Sequence, residues 1–286
     1  MTEIAHAAAA GACSGAVGTK RKSVPRRRPA GRSTTSAMSA ASRAAQSSLW
    51  KPTAAMVADL HLHFEGSVPE ALLARIARRS GHAFGRAGAF ARARRRSRQS
   101  HAFLRLYADC CRVFTSPLDY AEAALGLGLR LGRELDYAEI YVSPEIWTRF
   151  GLDAAAVLGA IDRSFAEAEG RTGCRLRLRL DTVRQWGAAA AERVLDLHER
   201  TRLARVVGFG MGGDETALPA REFRRSFRRA RRLNLSTAVH AGEWAGPDAV
   251  AEAVDELEPD RIDHGVRAIE DPALTARLAR AGIPFC

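Results

Sequence analysis

The 286-residue chain predicts an α/β fold, a TIM-type (β/α)8 barrel, on three observations. Short apolar runs alternate with longer stretches of helical period. The length is near the roughly 250 residues typical of such a barrel, and a hydrophobic content of 47% is enough for a sizeable core. Several of the apolar runs end in histidine, and in this barrel the carboxyl ends of the strands converge on one face, where sites are built.

The first predicted strand runs from Val57 to His63. His61 and His63 are two apart, so on a strand they share a face. Neutral imidazole is the commonest protein ligand for a borderline metal, and the pair, just before a Glu-Gly turn, reads as half of a metal site. The plain alternative is a half-buried strand whose histidines keep their polar tips in water. Arg92, Arg94, Arg95, Arg96 and Arg98 form a basic run in the long first crossover, expected to be a flexible lid or a simple loop. Cys110 and Cys111 continue a helical stripe that includes Phe103, Leu104 and Leu106, which predicts buried free thiols.

Further strands are predicted from Tyr137 to Val142, Leu176 to Leu180, Val206 to Phe209, Ser236 to His240, Arg261 to His264 and Ile283 to Cys286. Helical patterns lie between them, from Ala188 to Leu203 and from Ala220 to Leu233, with Arg-rich faces that read as solvated surface. His240 and His264 close two of the strands, each followed almost at once by glycine. His6, His82, His101 and His198 lack partner spacing and read as surface or packing residues.

Charge divides the chain into two predicted parts, a disordered basic tail over residues 1–55 and a barrel over 56–286. The tail is rich in Ala, Ser and Arg, and carries nine Lys or Arg against one acid, a net +8 of the chain's +12. Such a composition buries too little apolar surface to offset its ordering entropy. The remaining +4 argues against a nucleic-acid-binding barrel. Three readings of the tail stay open: a basic arm for an anionic partner, an organelle transit peptide, or leader upstream of a start at Met38 or Met56. It lacks the apolar core of a secretory signal. Five cysteines without C-x-x-C spacing suggest a reducing compartment, read here as cytoplasmic. No stretch approaches the apolar length needed to cross a bilayer.

Four strings then appear in order: His61-Leu62-His63-Phe64-Glu65-Gly66-Ser67, Gly212-Gly213-Asp214-Glu215, His240-Ala241-Gly242-Glu243 and Arg261-Ile262-Asp263-His264-Gly265. Together they resemble the successive motifs of the adenosine deaminase family, over about Val57 to Cys286. Tyr137 to Pro144 is similar to the family's second strand, with Tyr141 where an Arg is usual. The resemblance implies a metal-dependent hydrolase barrel with one Zn²⁺ per chain on His61, His63 and His240. It implies that Glu243 protonates the purine N1 and passes the proton toward departing ammonia. His264 would orient the attacking water and act as base or electrostatic stabiliser. The Gly213 backbone would receive the purine edge, and His63 and Glu65 would also line the substrate site.

Physical chemistry supports that scheme. Zn²⁺ on neutral imidazoles lowers the pKa of a bound water from 15.7 toward roughly 7. Attack on an aromatic carbon bearing an amino group breaks aromaticity, and protonating a ring nitrogen lowers that barrier. Each residue also has a plain alternative. Glu243 suits a helix start, where the dipole contributes about 0.3–1 kcal/mol. His264 suits a strand cap, and Gly212-Gly213 suits a tight turn needing positive φ.

The expected function is hydrolytic deamination of a 6-aminopurine nucleoside or base, adenosine or an adenosine derivative going to the inosine-type product plus ammonia, with adenine or aminodeoxyfutalosine deamination as the alternative within the family. Glu65, at the family's ribose end, and the Arg-Ile-Asp-His-Gly string are similar to adenine deaminases. The Gly-Gly-Asp-Glu string is more like nucleoside-type members, although Gly210 stands where they often carry Asp, and mixed signatures occur in relatives acting on aminodeoxyfutalosine-type substrates. The chain reaches only the seventh strand of the resemblance, so a barrel lacking its eighth strand is expected, without the family's Asp ligand from a Thr-Asp-Asp-Pro-like segment. Weaker metal binding and impaired turnover would follow. The rival from another class is a non-catalytic barrel that binds a partner. Oligomeric state is not readable from one sequence.

Overall fold

Six strands lie side by side in chain order in one parallel sheet: β1 (Ala58–His63), β2 (Tyr137–Val142), β3 (Arg175–Val183), β4 (Val206–Gly212), β5 (Ser236–Ala241) and β6 (Arg261–His264). The computed structural model describes residues 56–286 apart from Arg98. The tail expected over residues 1–55 lies outside the described residues. Parallel neighbours need a crossover, and helices fill each one, among them Pro117–Leu131, Ala154–Thr172, Gly187–Thr201, Arg224–Arg232 and Pro247–Leu257. This is the (β/α) barrel arrangement that the alternating sequence predicts.

Local chemistry sets the helix ends. Asp153 caps the helix Ala154–Thr172 by accepting from the amides of Ala155 and Ala156, and Gly173 closes it at φ 78°. Ser116 caps Pro117–Leu131, with proline in the first turn where its missing N–H costs nothing. Two expected boundaries move. The pattern from Ala220 to Leu233 resolves into a short 3-10 turn, Ala220–Phe223, followed by the helix Arg224–Arg232. The helix expected from Ala188 to Leu203 ends at Thr201, because Arg202 turns left-handed at φ 45°.

The arginine run of the first crossover is not a simple loop. Arg92, Arg94, Arg95 and Arg96 lie on the helix Ala89–Arg96, whereas Arg98 lies outside the described residues. Arginine is a good helix former, and the serine after Arg96 donates from its hydroxyl to the Ala93 carbonyl at 3.0 Å. Cys110, Cys111 and Cys174 are buried free thiols, as the helical stripe predicts for the first two, while Cys286 is exposed. Among the described residues no helix is long and apolar enough to cross a membrane.

β3 and β4 run further than their apolar residues suggest. Asp181 and Thr182 interrupt the apolar pattern of β3, yet both are buried and pair in register with Gly210 and Met211. The cause is an exchange of volume between strands. A Cβ at Gly210 would sit 2.9 Å from Asp181 Oδ1 and 2.9 Å from the Tyr141 ring, and one at Gly212 2.9 Å from Asp181 Oδ2. Alternate glycines on β4 therefore make room for large polar side chains from β2 and β3.

The segment expected to form a strand from Ile283 to Cys286 makes only an isolated parallel bridge, Ile262 to Phe285. Ile262 N donates to Pro284 O at 2.9 Å and Cys286 N to Ile262 O at 3.0 Å. Pro284 has no N–H to extend the ladder on its own side.

Beneath the histidine-bearing rim lies a buried ionic cluster. Arg179, 1% exposed, donates to Glu139 Oε2 at 2.9 Å and to the Ser236 hydroxyl and carbonyl. Arg261 Nη1 lies 2.8 Å from the same Glu139 oxygen. Burial pushes the Glu139 carboxyl up, but Arg179 and then Arg261 outweigh it and hold it below the ordinary carboxylate range. Removing Glu139 would leave two buried guanidinium groups short of counter-charge. Glu139→Ala is expected to destabilise the fold by about 3–5 kcal/mol, measured by urea denaturation; a change below about 1 kcal/mol would mean that other acids compensate.

Candidate active site

The carboxyl ends of β1, β5 and β6 deliver four histidines to one rim. His61 and His63 leave β1 on the same face, and their Nε2 atoms are 3.2 Å apart. His240, at the end of β5, places its Nε2 3.0 Å from each of them. These are the three ligand atoms that can hold a metal ion, and no carboxylate joins them among the described residues. Tetrahedral ligands at the Zn–N distance of about 2.0–2.1 Å lie roughly 3.3 Å apart, close to the observed triangle.

Protonation favours the same reading. His240 Nδ1 faces the Met211 carbonyl at 3.1 Å and Asp263 Oδ2 at 3.4 Å. That side of the ring takes the proton, and Nε2 is left as a lone pair aimed at the other two histidines. Burial lowers the pKa of His61, and lowers those of His63 and His240 further, so all three rings stay neutral. Neighbouring histidines push His63 and His240 in the same direction. Three converging neutral nitrogens cannot all satisfy one another by hydrogen bonds, whereas a cation among them satisfies all three.

The support beneath the trio includes residues to which the sequence motifs assign no role. Asp263 is fully buried. It accepts from the Tyr141 hydroxyl at 2.6 Å, and Arg261 donates to that hydroxyl at 3.0 Å. Tyr141, standing where an Arg is usual in the resemblance, thus joins the trio's anionic partner to the ionic cluster below. The signals were an acid and a tyrosine inside otherwise apolar strands, where burial demands a partner.

His264 lies at the end of β6 at φ 67°, a left-handed conformation uncommon outside glycine. Its ring centroid is 4.7 Å from that of His61 and 5.1 Å from that of His240. Nε2 stands 3.5 Å from Glu243 Oε2. The structure therefore groups His264 and Glu243 with the three ligand-type histidines. Burial, with the Glu215 charge as a second cause, raises the Glu243 carboxyl to about 7.

Gly213 follows β4 at φ 97°, and a Cβ there would collide with the Gln185 side chain. Gln185 Oε1 accepts from the Asp214 amide at 3.0 Å, so this turn is pinned to the end of β3. Glu65, expected at the substrate's sugar end, is 1% exposed. Its carboxylate accepts from Tyr107 Oη at 2.7 Å, Trp147 Nε1 at 3.2 Å and Tyr120 Oη at 3.4 Å. His82, expected to be a surface or packing residue, accepts from the Phe84 amide at 3.2 Å.

Comparison with known proteins gives this arrangement a lineage. The adenosine deaminase family model matches residues 57–286. Relatives include an adenine deaminase of Chelativorans sp., 35% identical over 231 residues, covering 79% of this chain and 69% of the relative. Another, from Sphingopyxis alaskensis, is 38% identical and covers 78% of this chain and 65% of the relative. Among solved structures, the adenine deaminase from Arthrobacter aurescens superposes with a TM-score of 0.74 at 27% identity, over 81% of this chain and 71% of that one. An amidohydrolase from Burkhoderia ambifaria with bound Zn superposes with a TM-score of 0.73 at 28% identity, over 80% and 64% of the two chains. Sequence motifs, barrel and histidine rim converge, and the chain belongs to the adenosine deaminase family, a class of metal-dependent hydrolytic deaminases.

Proposed function

We propose that this protein hydrolytically deaminates a 6-aminopurine, with adenine as the preferred substrate, at a Zn²⁺ held by His61, His63 and His240. The observation that carries the reading is the triangle of neutral imidazole nitrogens at 3.0–3.2 Å beside a carboxyl raised to about 7. When bound, Zn²⁺ would supply Lewis acidity and make water nucleophilic at neutral pH. Adenine is favoured over a nucleoside because the curated relatives bear the name adenine deaminase. The three donors on Glu65 also leave little of its carboxylate for a ribose hydroxyl.

The chain's own residues divide the work. Glu243, whose carboxyl raised to about 7 keeps a large protonated fraction near neutral pH, donates to the purine N1 as water adds at C6, so the ring accepts the electron pair without becoming an anion. His264, neutral through burial and 3.5 Å from Glu243, is placed to orient the water and take its proton. The Glu243 carboxylate then takes the remaining proton of the added water and passes it to the amino nitrogen. The C6–N bond breaks with its electron pair leaving on ammonia, the 6-oxopurine remains, and the proton held by His264 returns to Glu243. The Gly213 backbone and His63 bound the substrate's position, and Tyr107, Tyr120 and Trp147 fix Glu65 at the edge of the site.

Metal binding can be measured apart from turnover. Equilibrium dialysis with elemental analysis is expected to find about one Zn²⁺ per chain, and His240→Ala is expected to lose most of it. Undiminished zinc in that variant would remove His240 from the ligand set.

Turnover is followed by loss of adenine absorbance with Zn²⁺ present, with adenosine run in parallel. The rate is expected to depend on Glu243. Glu243→Gln should lower it roughly 10²–10⁴-fold with zinc content unchanged. Full activity in that variant would end the proton-transfer assignment, and faster deamination of adenosine than of adenine would reverse the substrate order.

The pH profile has a definite sign. Glu243 works as an acid, and its carboxyl is raised to about 7. Activity should therefore be retained below that pH and decline on the alkaline side as the proton is lost. A profile that rises steadily through pH 7–9 would contradict the assignment.

A further inference from the structure

Glu215 has no part in the chemistry derived above, yet it is 6% exposed beside the site and binds the segment that carries Glu243. Its Oε1 accepts from the Glu243 amide at 2.9 Å. Its Oε2 accepts from the Gly242 amide at 2.9 Å and the Ala245 amide at 3.1 Å. One carboxylate from the turn after β4 thus gathers three backbone donors of the turn after β5. Charge-assisted bonds of this kind are about twice as strong as neutral ones.

The gathered turn has little freedom elsewhere. Gly242 is left-handed at φ 74°, and a Cβ there would lie 2.6 Å from Val250 on the following helix. Arg267 donates to the Trp244 carbonyl at 2.7 Å, bracing the turn from the β6 side. On the other side buried Arg184, at the end of β3, donates to the His240 carbonyl at 2.9 Å. It also reaches the carbonyls of Leu218 and Glu215 at 3.4 Å and 3.5 Å. Four strand ends, those of β3, β4, β5 and β6, are therefore tied together around Glu243.

We propose that Glu215 is a positioning residue for the deamination: by gathering the amides of Gly242, Glu243 and Ala245 on one buried carboxylate, it aims the Glu243 carboxyl at the ring nitrogen it protonates. The inference rests on the proton-donor reading of Glu243 given above. The contact has an electrostatic consequence as well. After burial, the Glu215 charge is the second cause of the Glu243 carboxyl standing near 7 rather than in the ordinary carboxylate range.

The test uses the full chain with Zn²⁺ and adenine, comparing the parent with Glu215→Gln and Glu215→Ala. Amide exchange at Gly242, Glu243 and Ala245, read by NMR, should quicken roughly tenfold or more in both variants. kcat should fall roughly tenfold to a hundredfold, as expected for a misplaced catalytic group, with KM within about twofold of the parent. The alkaline limb of the pH profile should move to lower pH in Glu215→Gln, because a neutral side chain no longer favours the protonated form of Glu243. If Glu215→Ala fails to fold, the near-isosteric Glu215→Gln carries the test alone. Parent-like kcat and an unmoved limb in Glu215→Gln overturn the proposal. A loss of stability without a shift of the limb also overturns it, leaving Glu215 a structural residue. Should the parent show no Glu243-dependent turnover, the proposed function fails separately. Amide exchange, together with ¹³C titration of the Glu243 carboxyl assigned against Glu243→Gln, then still decides the role of Glu215.

Discussion

The site depends on ionic groups buried beneath its histidines. Arg179 and Arg261 share Glu139, Arg261 and Asp263 share the Tyr141 hydroxyl, and Asp263 faces His240 Nδ1. Each of these charges would be costly in isolation, and each is tolerated because the next supplies a counter-charge or hydrogen-bond partner, although the buried Nε of Arg179 is left without one. The chain of contacts ends at the ring nitrogen that decides the tautomer of His240. An ion pair deep in the sheet and a lone pair at the rim therefore belong to one network, and a change at Glu139 reaches the rim through Arg261 and Tyr141.

Burial acts in opposite senses on the two kinds of group at the rim. It disfavours the charged form of each, so His61, His63 and His240 lose affinity for protons while Glu243 gains it. The outcome is the pairing that hydrolytic deamination needs near neutrality, with ligands free of protons and an acid that still holds one. Desolvation is the first cause of both, and the Glu215 charge adds to it at Glu243. Pairs of titratable groups whose surroundings drive them apart are the mark of an acid–base site.

Much of this was legible in the sequence, and the unread parts share a cause. β2 is legible to the residue because apolar and aromatic side chains flank Glu139, and β6, with Ile262 between Arg261 and Asp263, is legible only through its place in the motif string that ends in His264. The histidine rim was readable because His-x-His and the histidines closing β5 and β6 recur at strand ends. β3 and β4 were read short because Asp181, Thr182 and the glycines of β4 weaken an apolar pattern. They belong to the strands through volume exchanged with a neighbour, which no single run of sequence displays. The arginines at 92, 94, 95 and 96 read as lid or loop because charge without an apolar stripe resembles linker, although arginine itself favours a helix. The last predicted strand makes a single bridge to Ile262, and Pro284 has no N–H to carry that pairing back toward the start of β6. Glu215 and Asp263 lay in plain view within motifs, but their partners are amides and a tyrosine on other strands, and those contacts exist only once the sheet has formed.

The same dependence on neighbours explains why the rim is divided among so many strands. The Glu243 carboxyl is raised first by burial and second by the charge of Glu215 beside it. Two such groups on one short turn would repel and open it. Placing Glu215 after β4 and Glu243 after β5 lets the Glu215 carboxylate bond to the backbone of its neighbour's turn while repelling only the side chain. The attraction to three amides holds the turn closed, and the residual repulsion acts on the proton of Glu243. A parallel barrel supplies this geometry because successive strand ends are adjacent on one rim although about 30 residues of chain separate them.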